Sequence, residues 1–183
     1  MEPMFFQQLP QLMSEYKTDE ETILRGLCEK IEGLCLRAQQ LQREELLGTV
    51  RYLGISYLLS STLTGNYELR LDLYDSDYYL DKVECCDYWN PDFITKYLIK
   101  DTTYLKTKIR SLVPQIRTYE IQQFLDGYWL NYLLLIKQFF AQMFEDVLGS
   151  IKKEARDILP QDIKVTFGEY MGKCVLIMGE KEA

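Results

Sequence analysis

The chain of 183 residues contains no histidine. That absence removes Ser-His-Asp and Cys-His nucleophile systems, imidazole acid–base work and most transition-metal sites. Chemistry, if any, falls to carboxylates, lysine, tyrosine or cysteine. Cysteine is sparse and unpatterned: Cys28, Cys35, Cys85, Cys86 and Cys174 form an odd set with no C-x-x-C pair. No secretory leader is read ahead of them, so reduced thiols in a cytoplasm are the expectation. Cys28 and Cys35 lie seven apart on one predicted helix and read as small core residues. The vicinal Cys85–Cys86 reads either the same way or as a redox or soft-metal element. Long apolar runs are missing too. The most apolar stretch, Tyr128 to Ile136, holds nine residues with Asn131 inside it, against about 20 for a spanning helix. Lys137, Gln138 and Gln142 follow closely, so a buried core helix is expected and no membrane partner. Neither G-x-G-x-x-G nor G-x-x-x-x-G-K-[ST] occurs, which leaves no phosphate-binding loop to assign.

What remains is an ordinary globular composition, 47% hydrophobic and 27% charged, with one excess: 14 tyrosines. Tyrosine has an apolar body and a polar tip, so it serves cores and binding surfaces alike. The net charge is −7 and the pI about 4.8. This balance argues against a broad nucleic-acid surface and fits a protein that meets basic surfaces. The length suits one domain over residues 1–183.

Residues 1–17 carry no clear period and read as an irregular or short helical arm. Thr18 with Glu21 forms a capping box, and Leu24, Leu27, Ile31, Leu34, Ala38 and Leu41 then repeat at alternating three and four residues. A helix over 19–47 follows, packed on one neighbour or pairing with a second copy through Leu24, Leu27, Ile31, Leu34 and Leu41. Val50 to Thr64 is rich in β-formers but also fits a helical stripe. Tyr67 to Tyr74 alternates strictly, and with the Gly65–Asn66 turn predicts a hairpin. Residues 75–90 show no sustained period. Helices follow over 91–112, with Ile94, Tyr97, Leu98, Leu105, Ile109 and Leu112 inward, and over 118–148, the most apolar and hence central one. A short helical piece at 150–158 precedes a second hairpin over 163–178. The expected fold class is α+β, three to four helices on a small antiparallel sheet made of two hairpins.

Charge is concentrated in one place. Glu68, Asp72, Asp75, Asp77, Asp81, Glu84, Asp87 and Asp92 face only Arg70 and Lys82 over 25 residues, a net of −6. Tyr67, Tyr74, Tyr78, Tyr79, Tyr88 and Trp89 are interleaved with them. Three readings compete. Asp72, Asp75 and Asp77 are hard oxygen ligands for a metal-dependent nuclease or phosphodiesterase, with Pro91–Asp92 and Asp162-Ile163-Lys164 imitating a nuclease signature. A calcium loop counted from Asp75 fails, since Leu80 and Cys86 stand where glycine and glutamate are required. The second reading is a solvated acidic loop over a tyrosine-rich core. The third is recognition: carboxylates take bidentate bonds from arginines that otherwise hold a nucleic-acid backbone, and aromatics supply anchors. On it the contact residues are Glu68, Asp72, Asp75, Asp77, Tyr78, Tyr79, Asp81, Glu84, Asp87 and Trp89, with no catalytic residue, metal or cofactor assigned.

The segment Leu80 to Tyr97, L-D-K-V-E-C-C-D-Y-W-N-P-D-F-I-T-K-Y, together with Tyr67 to Asp72, Y-E-L-R-L-D, resembles an uncharacterised family from low-GC Gram-positive bacteria. Members are sometimes labelled "normocyte-binding protein". The resemblance covers about a third of the chain and implies no catalytic residue. In general character, small, acidic and cofactor-free, the chain is also similar to anti-CRISPR inhibitors, which implies a Cas nuclease as partner. The function expected is thus that of a non-enzymatic acidic inhibitor of a nucleic-acid-handling enzyme. The metal-dependent nuclease and a self-associating structural protein are the alternatives.

Overall fold

The computed structural model describes residues 4–80 and 83–179. Its first element is one long helix, α1, Met4–Arg43, where an arm and a later helix start were expected. The apolar seam simply continues upstream: Phe5 and Leu12 are buried, and Leu9 and Tyr16 pack against the core. Pro10 sits inside the helix on its exposed side, where water can serve the carbonyl it leaves unpaired. Thr18 caps nothing; its hydroxyl donates back to the Ser14 carbonyl at 3.0 Å. The helix closes at Arg43 because Glu45 turns left-handed, φ 57°, and the Leu46 amide donates to the Leu41 carbonyl at 2.9 Å. Leu27, Ile31 and Leu34 are fully buried in the chain's own core, and Leu24 and Leu41 pack against it.

Five strands follow among the described residues: β1 Tyr52–Tyr57, β2 Leu69–Tyr74, β3 Cys86–Trp89, β4 Lys164–Glu169 and β5 Cys174–Met178, in the order β3-β2-β1-β4-β5. Val50 to Thr64 resolves as both of its readings, strand β1 and then a helical turn, α2 (Ser61–Thr64), closed by Gly65 at φ 74°. The sheet is mixed, not antiparallel. Between the two expected hairpins, β1 and β4 zip in parallel from Tyr52↔Lys164 to Tyr57↔Glu169. A third departure is β3, in the stretch that showed no period; it pairs with β2 and widens the sheet. Four residues are too few for a period-2 pattern to register, and its polar Asp87 faces the same side as Trp89.

Helices α3 (Asp92–Leu112), α4 (Thr118–Ser150) and the short α5 (Lys153–Arg156) complete the chain. One sheet face meets α1 and α4. Leu53, Ile55, Leu69, Leu71, Leu73, Val165 and Phe167 point into that layer, and the Phe140 ring lies 5.4 Å from Trp89 and 6.3 Å from Phe167. The helices are tied by a buried acid. Asp101 accepts hydrogen bonds from Tyr132 at 2.7 Å, from Tyr128 and from Gln8, so one carboxylate links α1, α3 and α4. Along α3, Ile94, Tyr97 and Leu98 are buried as expected. Leu105 and Ile109 are only half-buried, and Leu112 is 69% exposed. Lys96 meets Glu15 and Asp101 meets Gln8, so α1 runs antiparallel along the buried first half of α3.

Candidate functional site

The second sheet face carries the polar side of the alternation: Arg70, Asp72 and Tyr74 from β2, Tyr52 and Gly54 from β1, Thr166 and Gly168 from β4. Such a face usually meets water. Here all six residues of β2 are buried, because the chain after β2 folds back over it. Asp75 makes the turn: its carboxylate accepts from the Gly48 and Asp77 amides, both at 2.8 Å. Tyr78, in the left-handed region at φ 57°, then swings its ring onto the sheet. Its hydroxyl meets the Thr166 hydroxyl at 3.1 Å, and its ring stacks 4.5 Å from Tyr74 and 5.0 Å from Tyr52. Tyr79 packs 4.5 Å from Tyr78 and reaches the Cys174 sulfur at 3.6 Å. Tyr170, in the β4–β5 turn, lies 6.1 Å from Tyr79 and completes a cluster of five tyrosines.

Beneath this cover sits a buried ion pair. The Arg70 Nε donates to Asp72 at 2.9 and 3.0 Å and its terminal nitrogen at 2.8 Å, with Arg70 6% and Asp72 1% exposed. Arg70 also reaches the Glu84 carboxylate at 3.1 Å and lies 4.3 Å over the Tyr170 ring, while the Tyr170 hydroxyl donates to Glu84 at 3.0 Å. Burial pushes the Asp72 carboxyl up, which Arg70 opposes. Arg70 in turn holds its proton more tightly, through Asp72 and Glu84 and against its own burial. Three hydrogen bonds of 2.8–3.0 Å decide for the ionised pair. Glu84 is drawn below its usual range by Arg70 and then Tyr170. Burial raises the phenols of Tyr74, Tyr78, Tyr79 and Tyr170, so at neutral pH all four stay protonated and do not act as bases.

Between the arginine, these rings, Glu84 and Met171 lies a small cavity of about 130 Å³. Of its lining residues Met171 is 67% exposed, and Leu80, next along the chain after Tyr79, is 84% exposed.

The predicted contact residues that are described fall on both faces of the sheet and are spent differently. Asp72 and Trp89 are buried, Tyr78 and Tyr79 pave the sheet, and Asp75 holds the turn. Glu68 accepts from Asn66 at 2.9 Å, and Asp87 pairs with Lys30 of α1 at 3.0 Å. Asp77 is exposed, and Glu84 is largely so although it holds Arg70. Asp81 lies outside the described residues. Asp72, bound to Arg70, and Asp75, bound to two amides, do not converge with Asp77; among the described residues no three Cys, Asp or Glu side chains gather as metal ligands. Reading the segment alone missed Tyr52, Tyr170, Met171, Thr166 and Cys174, which arrive from distant strands. The available signal was the tyrosine excess itself, 14 in 183 residues.

Cys85 is buried and Cys86 half-exposed, and their neighbours differ: Cys85 reaches the Leu34 carbonyl at 3.6 Å, whereas Cys86 stands opposite Asp72 on the covered face. Consecutive strand positions point to opposite faces, so the pair does not form a shared thiol site. Burial pushes the Cys35 thiol up to about 12. Iodoacetamide is expected to label Cys86 and Cys174 in the native protein well before Cys28, Cys35 and Cys85, as peptide mapping would show. Equal labelling of all five would contradict the packing of α1 on the sheet.

No family model, no curated protein and no solved structure matches the chain. Among the described residues, no helix is long and apolar enough to cross a membrane.

Proposed function

We propose that the protein is a non-enzymatic binding protein: an acidic inhibitor of a basic nucleic-acid-handling enzyme, of the anti-CRISPR kind, acting in the cytoplasm on a Cas nuclease. The observation that supports this reading is a small aromatic cavity with exposed Met171 and Glu84 in its lining, covered by a segment on which Asp77 and Leu80 are exposed. Apolar anchors ringed by charge are the usual anatomy of a protein contact. The tyrosine cover holds the segment in place before any partner arrives, which lowers the ordering cost of binding. The contact then uses Asp77, Glu84, Leu80, Tyr88 and Met171, with Glu68 at its margin; Asp87 is held by Lys30 on the other face. Asp72, Tyr78, Tyr79 and Trp89 act from beneath by fixing the shape. Acidic charge around the rim speeds encounter with a basic partner and makes the rate sensitive to salt.

The test is target-DNA cleavage by a set of guide-loaded Cas nucleases with the protein added in excess. Cleavage by at least one is expected to fall, and the variant Asp77→Lys/Leu80→Ser/Met171→Ser is expected to lose most of that inhibition while keeping the parental thermal midpoint. Full cleavage by every nuclease, or equal inhibition by parent and variant, would sink the proposal.

A further inference from the structure

From Thr103 to Glu120 no residue is buried. The end of α3, the turn and the first residues of α4 therefore form a helical hairpin that projects from the core, with Asp101 and Thr102 as the last buried residues below it on α3. Its charge is opposite to that of the whole molecule. Lys100, Lys106, Lys108, Arg110 and Arg117 reach solvent between positions 100 and 119. The one acid in that span, Asp101, is fully buried against Tyr128, Tyr132 and Gln8. None of the five cations forms an ion pair among the described residues; the pairs present involve Lys30, Arg70, Lys96 and Lys152. Glu120, at the margin, is bound to the Arg117 amide at 2.8 Å. Two tyrosines stand among the cations, Tyr104 at 51% and Tyr119 at 54% exposure, the latter with the Arg117 guanidinium 6.0 Å over its ring.

We infer that this hairpin binds single-stranded nucleic acid. At 100° per residue, Lys100, Lys108 and Arg110 share the outward side of α3 with Thr103, Tyr104 and Thr107, a polar stripe about 16 Å long at 1.5 Å per residue from Lys100 to Ser111. Clustered cations attract the phosphates of a strand, and exposed aromatic rings between them give unpaired bases a face to stack on. The whole-chain charge of −7 averages over this pole and hides it. A lipid surface fits less well, because the outward side of the helix is cationic and hydroxylated and the exposed apolar pair Leu112–Val113 is confined to the tip. The inference concerns a different face from the acidic rim and stands or falls separately from it.

Fluorescence anisotropy with a labelled oligo-dT of about twenty nucleotides tests it. Binding is expected at about 50 mM salt, weakening with a log–log slope that approaches −0.7 for each cation engaged. Lys106→Glu/Lys108→Glu/Arg110→Glu is expected to weaken binding more than tenfold and to flatten the slope by about 2. Tyr104→Ala/Tyr119→Ala should weaken it severalfold at unchanged slope, the mark of stacking as opposed to charge. All five positions are exposed or half-exposed, so circular dichroism should report parental folding, and Lys→Gln versions of the triple variant serve if the glutamates disturb the helix. Absence of oligo-dT binding by the parent, or unchanged binding by the triple variant, overturns the inference. So does a parent that leaves oligo-dT free and binds phosphatidylserine vesicles through Leu112 and Val113, as judged by the Leu112→Ser/Val113→Ser variant.

Discussion

Replacing Arg70 with methionine is expected to lower folding stability by about 3–5 kcal/mol at neutral pH, as measured by urea denaturation. Asp72 is 1% exposed, and three of its hydrogen bonds come from Arg70. Without that partner the carboxylate is a buried, uncompensated charge, which costs far more than the pair contributes over an apolar substitute. The loss should depend on pH, with a definite sign. Burial already raises Asp72, and Arg70 is the group that opposes it. In the variant the folded value moves further above the unfolded one. An acid raised in this way favours the fold below its unfolded value, about 4, and loses that contribution as pH climbs through the folded value. Arg70→Met should therefore be least harmful near pH 4 and most harmful near pH 7. Adding Asp72→Leu should recover most of the loss, since a well-packed apolar pair can replace a buried ion pair at little cost. A loss equal at both pH values, or a double variant as unstable as the single, would show that the arginine matters for packing alone.

This pair also marks the limit of what the sequence could say about the site. Strict alternation over Tyr67 to Tyr74 correctly puts Leu69, Leu71 and Leu73 on one face and Arg70 and Asp72 on the other. Alternation cannot say whether the polar face meets water. That depends on where Tyr78 and Tyr79 go, and their course is set by Asp75 bonding to Gly48, 27 positions away, and by Thr166 and Cys174 across the sheet. Long elements were legible for the same reason in reverse: α4 and the first half of α3 carry an apolar pattern that their packing matches. The start of α1 was obscured by Pro10, and the parallel β1–β4 pair lies between segments more than a hundred residues apart. The five cations against one acid over 100–119 stand in the sequence, but the net charge of the whole chain masks them. Leu105, Ile109 and Leu112 continue an inward stripe that the structure leaves largely without a core to enter.

Gly168→Ala is the other substitution expected to act strongly, by more than about 3 kcal/mol. The reason is space. A methyl group at this position would lie 2.2 Å from the Lys173 carbonyl oxygen and 2.6 Å from the Cys174 Cα, both backbone atoms of the paired strand that cannot rotate away. β4 and β5 would have to part at the Gly168↔Cys174 pair, and the turn between them carries Tyr170 and Met171. The consequence reaches the candidate site: Tyr79 loses its sulfur partner, Arg70 loses the ring beneath it, and the cavity rim loses Met171. The variant should melt well below the parent, and any folded fraction should show faster alkylation of Cys174. Gly127→Ala supplies the contrast. Gly127 is exposed inside α4 with nothing within 4 Å of the added carbon, so alanine there should stabilise by about 0.5–1 kcal/mol through helix propensity. If Gly168→Ala melts with the parent while Gly127→Ala behaves as stated, β4 and β5 are not this close, and the tyrosine cover must be anchored elsewhere than on the β4–β5 hairpin. If Gly168→Ala stays folded but loses inhibition of a Cas nuclease that Gly127→Ala retains, the shape of the covered face, as opposed to its net charge, is what the partner reads.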